Sequence, residues 1–178
     1  KGFKTQIETQ HRNWDKNPSE KIACFQPILR LHGHSGWIFS IEFVADGKTL
    51  ASGSRDGTLR TWNAETGEAL MIYNFGSTSV WGIYSSIIVS PNHSDDQELA
   101  NNSLPSSTPL TFVSTFDGRL CILDEDLMVI RTLQISNEAL WYIKYDNDRE
   151  ELLIACLDGY VYSMTTCMRL QRYAAITS

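Results

Sequence analysis

Apolar and polar residues alternate along most of the chain in runs of about five to nine residues, and short polar clusters separate these runs. A period of two is typical of strands with one buried face, and no stretch keeps the 3.6-residue period of an amphipathic helix. In the first third of the chain, turns are predicted at Ala45-Asp46-Gly47-Lys48 and at Arg55-Asp56-Gly57. The strands predicted around them are Trp37–Val44, Thr49–Ser54, Thr58–Asn63 and Ala69–Tyr73.

Two further groups of four strands are predicted downstream. In every group an Asp-Gly pair separates the second strand from the third, at Asp56-Gly57, Asp117-Gly118 and Asp158-Gly159. Gly accepts the positive φ that a tight primed turn requires, so each pair predicts a β-hairpin. The later strands are predicted at Val80–Ser90, Leu110–Thr115, Arg119–Asp124, Met128–Gln134, Leu140–Tyr145, Glu151–Leu157, Tyr160–Met164 and Arg169–Ala175. The pattern therefore predicts an all-β fold built from a repeated four-stranded unit.

The spacing of the Asp-Gly pairs supports an internal repeat. The two intervals are 61 and 41 residues, and a polar insertion, Pro91–Pro109, accounts for nearly all of the excess in the first. Without it the period is about 41–42 residues, which suits a four-stranded propeller blade. Trp37, Trp81 and Trp141 precede the three turns by 19, 36 and 17 residues, and the second value also becomes 17 without the insertion. We therefore predict that the three tryptophans occupy equivalent positions.

Charge and composition narrow the choice of partners and compartment. The chain of 178 residues has a net charge of −6, and its 15 basic residues are scattered, so nucleic acid is not expected as a direct partner. No run approaches the ~20 apolar residues of a membrane helix, so no membrane span is predicted. Because Cys24, Cys121, Cys156 and Cys167 show no metal-ligand spacing, we expect reduced thiols, no metal and an intracellular protein, cytoplasmic or nuclear.

One segment carries a specific family signature. Residues 31–37 read Leu-His-Gly-His-Ser-Gly-Trp, Asp56-Gly57 follows 19 residues after Trp37, and Trp62-Asn63 comes next. With these motifs, the chain resembles a WD40-repeat β-propeller over about residues 31–178.

The resemblance implies a buried structural tetrad in the first repeat, formed by His34, Ser52, Asp56 and Trp62. In this relay the Asp accepts a hydrogen bond from His, the His bonds Ser, and the Ser bonds the Trp ring nitrogen. The later repeats depart from the pattern, so their blades are expected to rely more on apolar packing. They keep Asp117 and Asp158, but have Val113 and Ile154 in place of Ser52 and Leu123 and Met164 in place of Trp62.

The implied fold is an incomplete WD40-type β-propeller with three four-stranded antiparallel blades plus part of a preceding blade. Residues 1–30 form an N-terminal segment in which Trp14-Asp15 and Phe25–Leu31 either end that preceding blade or belong to an irregular extension. The propeller part divides into blades at about 31–74, 75–134 with the insertion 91–109, and 135–178. Three blades do not close a ring, so we expect further blades from the same or another chain. Lys1 is not an initiator Met, and we expect natural sequence upstream of it.

In the family, the turns between second and third strands and the connections between blades share one rim where partners dock. Two interpretations stay open for the three tryptophans, which either line a pocket for a peptide or loop or pack between neighbouring blades. The rim residues implied are Trp37, Phe39, Arg55, Trp81, Ile83, Phe116, Trp141, Ile143 and Leu157.

A non-catalytic interaction scaffold within a multiprotein assembly is the function that we predict. No titratable residues converge on a catalytic site, and neither a metal nor a cofactor is expected, since the tetrad accounts for both His34 and Asp56. Two alternatives remain open. One is a regulatory or sensor propeller attached to an enzyme, such as a kinase or nucleotide switch, outside this chain. The other is a structural subunit of a large complex that is bound through its blade edges.

Overall fold

The computed structural model describes residues 29–44, 46–88, 108–165 and 170–174. In these residues all regular structure is β, and consecutive strands pair as antiparallel meanders in three four-stranded sheets. This arrangement confirms the predicted fold class of successive four-stranded propeller blades. The strands are β1 (Ile38–Phe43), β2 (Thr49–Ser54), β3 (Thr58–Asn63), β4 (Ala69–Asn74), β5 (Val80–Ile88), β6 (Thr108–Thr115), β7 (Arg119–Leu123), β8 (Val129–Gln134), β9 (Leu140–Asp146), β10 (Glu151–Cys156), β11 (Tyr160–Thr165) and β12 (Leu170–Ala174).

The three sheets stand side by side with their first strands innermost. Strand β5 contacts both β1 and β9, and the backbone N–H of Ile83 donates a hydrogen bond to Ser40 Oγ across the first boundary at 3.1 Å. Gly53 allows this close approach, because a Cβ at that position would lie 2.5 Å from a methyl carbon of Val80. The sheets are thus arranged like neighbouring blades around a common axis.

The middle sheet, β5–β8, is buried on both faces. Val113 and Cys121 face the first sheet, whereas Phe112, Leu120 and Ile122 face the third. Each of these side chains is almost fully removed from water. Burial on two faces explains why β7 has four consecutive apolar residues, 120–123, instead of a strict alternation of apolar and polar residues.

Among the described residues, the outer two sheets each leave one apolar face uncovered. On the first sheet, Ile41, Phe43 and Ile72 are more than half exposed. On the third sheet, Tyr142 and Val161 lie opposite Ala155 on the side turned away from the middle sheet, and both are exposed. In the middle sheet, the corresponding faces are covered by the neighbouring sheets.

The three Asp-Gly turns have the same geometry, which differs from the predicted primed turn. In the first, residues 55–57 form a three-residue loop closed by a hydrogen bond from Gly57 N to Ser54 O at 3.2 Å, and only Gly57 has a positive φ, 81°. A primed two-residue turn would need a positive φ earlier, so this is the longer hairpin with glycine at its third position. A Cβ on Gly57 would also come within 2.5 Å of Gly76 O.

Some predictions fall outside the described residues. These include Trp14-Asp15, nearly all of the N-terminal segment 1–30, Cys24 and Cys167. The insertion 91–109 is also outside them except at its end, where Thr108 and Pro109 pair with β5 and belong to β6.

Candidate interaction surface

The four residues of the predicted tetrad form one hydrogen-bonded relay in the first sheet. His34 Nδ1 lies 2.9 Å from Asp56 Oδ2, and His34 Nε2 lies 2.8 Å from Ser52 Oγ. Trp62 Nε1 donates to Ser52 Oγ at 2.8 Å. Since the Asp56 carboxylate can only accept, His34 donates from Nδ1 and its Nε2 accepts from the Ser52 hydroxyl. Every polar atom of the relay therefore has a partner, which is the condition for a stable buried polar chain.

Asp56 is held as a carboxylate by four hydrogen bonds. Burial opposes ionisation, but the donors outweigh it and hold the pKa of Asp56 well below its usual range. Besides His34, these donors are the backbone N–H of Ser35 at 2.9 Å and both the hydroxyl and the N–H of Thr58, at 2.6 and 3.0 Å. The carboxylate thus links the connection before β1 to the turn between β2 and β3.

The second sheet replaces the relay with an ion pair. Arg119 Nε donates to Asp117 Oδ2 at 2.8 Å, and the Thr115 hydroxyl donates to the other carboxylate oxygen. Partial burial works against ionisation, yet these two donors keep the pKa of Asp117 below its ordinary value. The Asp117 backbone N–H donates to Thr78 Oγ1 at 3.2 Å, so this turn is also connected to the strand connection before it.

In the third sheet, a tyrosine and a serine support the corresponding aspartate. The hydroxyl of Tyr162 donates to Asp158 Oδ2 at 2.7 Å, and that of Ser136 donates to the same oxygen at 2.8 Å. Burial raises and these hydrogen bonds lower the pKa of Asp158, with a net shift downward. Ser136 precedes Asp158 by 22 residues, as His34 precedes Asp56, and could have been found from that spacing.

An aromatic strip crosses one rim of all three sheets, and we define it as Trp37, Phe39, Trp81, Phe116 and Trp141. Its rings form a continuous series of contacts: the centroid of Trp81 lies 4.9 Å from that of Phe39, 5.6 Å from Phe116 and 4.5 Å from Trp141. Trp37 extends the strip by an edge contact with Phe39 at 6.5 Å. Trp37 and Trp141 remain 69% and 53% exposed, while Trp81 is half-buried in the middle.

Three turn residues of the predicted rim occupy equivalent positions beside this strip. The backbone N–H groups of Arg55, Phe116 and Leu157 each donate to a carbonyl just before the first strand of their own sheet. All three side chains are exposed. The Arg55 guanidinium carbon lies 5.0 Å from the centroid of Trp37, a cation–π geometry that the sequence did not predict.

Trp37 does not occupy the position of the other two tryptophans, and that prediction is wrong by two residues. Strand pairing places Ile38 opposite Ser54, as it places Val80 opposite Thr115. Phe39, one residue after Ile38, is therefore the counterpart of Trp81. The physical reason is that hydrogen bonding to β2 decides which residue of β1 occupies this position. The length of the connection before β1 is independent of that pairing.

Ile83 and Ile143 were predicted on the rim, and the structure places them in the core instead. They are 5% and 2% exposed, packed between sheets. Their counterpart in the first sheet is Ile41, which pairs with Ser52 as Ile83 pairs with Val113, and Ile41 is 64% exposed. The same strand position is thus buried or exposed according to whether a preceding sheet covers it.

Within residues 29–44, 46–88, 108–165 and 170–174, no three His, Cys, Asp or Glu side chains are grouped so that they could hold a metal ion. In those same ranges, no helix reaches the length and hydropathy that crossing a bilayer demands.

Comparison with known proteins gives one family match and several partial relatives. The family described as "WD domain, G-beta repeat" matches residues 25–63. A ribosome biogenesis protein BOP1 homolog of Oryza sativa subsp. japonica is 44% identical over 64 residues, which are 34% of this chain and 9% of the relative. A guanine nucleotide-binding protein subunit beta of Oryza sativa subsp. indica is 33% identical over 109 residues, 61% of this chain and 22% of that protein.

A solved structure supports the fold independently. The crystal structure of the computationally designed Ika4 protein matches with a TM-score of 0.59 at 17% identity, over 84% of this chain and 79% of that one. At this identity the likeness concerns the fold alone. The chain spans less than a quarter of the length of either rice relative.

Proposed function

Since this chain carries a WD40 repeat and three successive blades of a WD40-type β-propeller, we propose that it is a non-catalytic interaction module. It docks a peptide or protein loop on the aromatic strip, as a subunit of a multiprotein assembly. The observation that carries this proposal is the strip itself, because large exposed rings on a rigid sheet end are the side chains that dominate binding energy at protein interfaces. The relay presents no accessible nucleophile, because Ser52 is 2% exposed and its hydroxyl oxygen accepts a hydrogen bond from Trp62.

The exposed ends of the strip provide the test. We expect Trp37→Ala and Trp141→Ala, each made in the 178-residue chain, to weaken the binding of peptides that were selected on the unmodified chain by roughly 10-fold or more. The peptides come from a random phage-displayed library panned on the unmodified chain, and affinity is measured by fluorescence anisotropy. Because Trp37 is mostly in water, the midpoint of urea unfolding is expected to stay nearly unchanged in Trp37→Ala. A modest decrease is expected in Trp141→Ala, whose ring packs against Trp81.

The matched control is Ile130→Ala, which truncates an exposed apolar side chain on the outer strand β8. It is expected to leave peptide affinity unaltered. Peptides that bind the two Trp variants as tightly as the unmodified chain would contradict docking on the strip. Loss of binding together with a large fall in the urea midpoint would instead favour a packing role for the tryptophans.

We infer that further propeller blades, from the same or another chain, cover the two open faces. Ile41 and Phe43 on the first sheet and Tyr142 and Val161 on the third present apolar surface where the middle sheet has neighbours. A cavity of about 260 Å³ on the first face is lined by Ile38 and other side chains that include members of the relay. Radial repetition protects sheet edges and faces only when the ring is closed.

In solution, the 178-residue chain without such blades is expected to associate, with a mass by light scattering above the 20.2 kDa of one chain. Ile41→Asn should reduce association by placing an amide on the open face, whereas Ile130→Asn, on β8 of the middle sheet, should not. A compact, monodisperse 20.2 kDa monomer that binds no hydrophobic dye would overturn the inference.

We also place the protein inside the cell, in the cytoplasm or nucleus. Cys121 and Cys156 are buried free thiols, which suits a reducing compartment. One relative is named for ribosome biogenesis, which is an intracellular process.

A further inference from the structure

The aromatic strip carries opposite charges at its two ends, and this inference rests on the proposed docking of a peptide there. At the first sheet, the Arg55 guanidinium lies over Trp37. In the described part of the chain, Arg55 forms no ion pair with a carboxylate. A cation that is stacked on an exposed ring and left without a counter-ion can pair with an acid brought by a partner.

The neighbouring acid does not neutralise Arg55. Asp56 directs its oxygens to His34, Ser35 and Thr58, so it serves the buried relay rather than the rim. At the second sheet the situation differs, because Arg119 is paired with its own turn aspartate. The uncompensated positive charge of the rim is thus concentrated at the Trp37 end.

The backbone of Arg55 is held from two sides. Its N–H donates to Trp37 O at 2.8 Å, and its carbonyl accepts from the Ser79 hydroxyl of the next connection at 3.3 Å. An open depression of about 510 Å³ adjoins Arg55 and is lined by His34, Ser35, Gly36, Trp37 and Asp56. The Asp56 carboxylate oxygens there are already engaged by His34, Ser35 and Thr58. The cation therefore borders a space that an extended peptide can enter, and little ordering is needed before binding.

One exposed acid lies in the connection at the other end of the strip. Glu138 is exposed in the connection that precedes Trp141, and it forms no ion pair among the described residues. Next to it, Leu157 is exposed beside Trp141 and offers an apolar contact. An acidic side chain of a partner is repelled here and attracted at Arg55, so the strip selects an orientation as well as a composition.

We propose that the aromatic strip binds an extended peptide segment in one direction, with an Asp or Glu side chain on Arg55 and large apolar side chains along Trp81 and Trp141. The acid gives specificity and the apolar side chains give most of the affinity. The test below distinguishes this result from the selection of basic peptides or of uncharged apolar peptides.

The test uses the peptides selected on the unmodified 178-residue chain from the random library. We expect the rim-dependent peptides to be enriched in Asp or Glu on one side of a cluster of large apolar residues. Arg55→Glu should weaken such a peptide by about 5-fold to 10-fold, and a peptide with Lys in place of its acid should regain that affinity on the variant. The matched control is Arg149→Glu, which changes net charge equally in the turn between β9 and β10, at the opposite end of the sheets.

The outcomes separate this inference from the proposed function. Peptides that depend on Trp37 and Trp141 but show no acidic enrichment, and bind equally well to Arg55→Glu, would overturn the charge inference while docking on the strip stands. Peptides enriched in Lys or Arg would overturn it as well. If no selected peptide depends on the tryptophans, both proposals fail. Reversal of preference by Arg55→Glu, with Arg149→Glu unchanged, supports the inference.

Discussion

Replacement of Trp62 by alanine is expected to lower the free energy of unfolding of the chain by about 3–5 kcal/mol. The indole is 3% exposed and fills the space beside Leu50 on the first sheet. Its removal loses the packing of the ring beside the open space of about 260 Å³ that Trp62 lines, and it also leaves Ser52 Oγ without the N–H that it accepts from. Urea unfolding followed by circular dichroism measures the loss.

Two companion variants separate the contributions to this loss. Trp62→Phe keeps most of the ring but not the N–H, and is expected to cost about 2 kcal/mol, part of it from the unsatisfied hydroxyl. Trp37→Ala removes an indole that is mostly in water, and should cost less than about 1 kcal/mol. Equal losses for Trp62→Ala and Trp37→Ala would contradict the assignment of Trp62 to the buried relay.

Substitution of Asp56 by asparagine is expected to lower the free energy of unfolding at pH 7 by about 2–3 kcal/mol. Whichever way the amide turns, its NH₂ group faces donors that now contact a carboxylate oxygen. These are His34 Nδ1 and the N–H of Ser35 at one oxygen, or the N–H and hydroxyl of Thr58 at the other. The position is well screened from water, with the Asp56 side chain 8% exposed, so solvent offers little replacement.

The loss at Asp56→Asn is expected to depend on pH in one direction. The folded pKa of Asp56 is depressed, so its carboxylate stabilises the fold fully above the ordinary Asp pKa of about 3.9. This contribution disappears as the pH falls below that value toward the folded pKa. The gap in urea midpoint between the unmodified chain and the variant should therefore be constant from pH 5 to 7 and shrink below about pH 4.

Asp117→Asn is the matched control, because Asp117 occupies the corresponding turn of the second sheet. Its pKa is also lowered, but its side chain is 44% exposed, so water can replace the ion pair with Arg119. A loss below about 1 kcal/mol is expected. If the difference in urea midpoint between the unmodified chain and Asp56→Asn increased on acidification, the predicted direction of the pH dependence would be wrong.

The strands and their order were predictable from the chain alone, since each depends on neighbours in sequence. The second and third strands of the first sheet begin and end where they were predicted, at Thr49–Ser54 and Thr58–Asn63. Period-two alternation and the Asp-Gly pairs are local signals. They failed only in the type of turn, because the positive φ is at the glycine in the third loop position and not at an earlier residue.

The positions of rim and core residues were less predictable, because they depend on contacts between strands far apart in sequence. Trp37 was predicted to be equivalent to Trp81 because both are tryptophans, but the pairing of β1 with β2 assigns that place to Phe39. The spacing carried this signal, because Phe39 precedes Asp56 by the same 17 residues that separate Trp141 from Asp158.

The amino-acid pattern was sufficient to identify a repeated four-stranded unit, and the resemblance of its first copy to the WD40 family implied the four residues of the relay. Packing between sheets decided the rest. It buried Ile83 and Ile143, left Ile41 in water, and joined aromatic rings from three sheets into one strip. Burial and ring contacts are set by which surfaces meet across distances of 40 residues or more in sequence, and no local pattern encodes those distances.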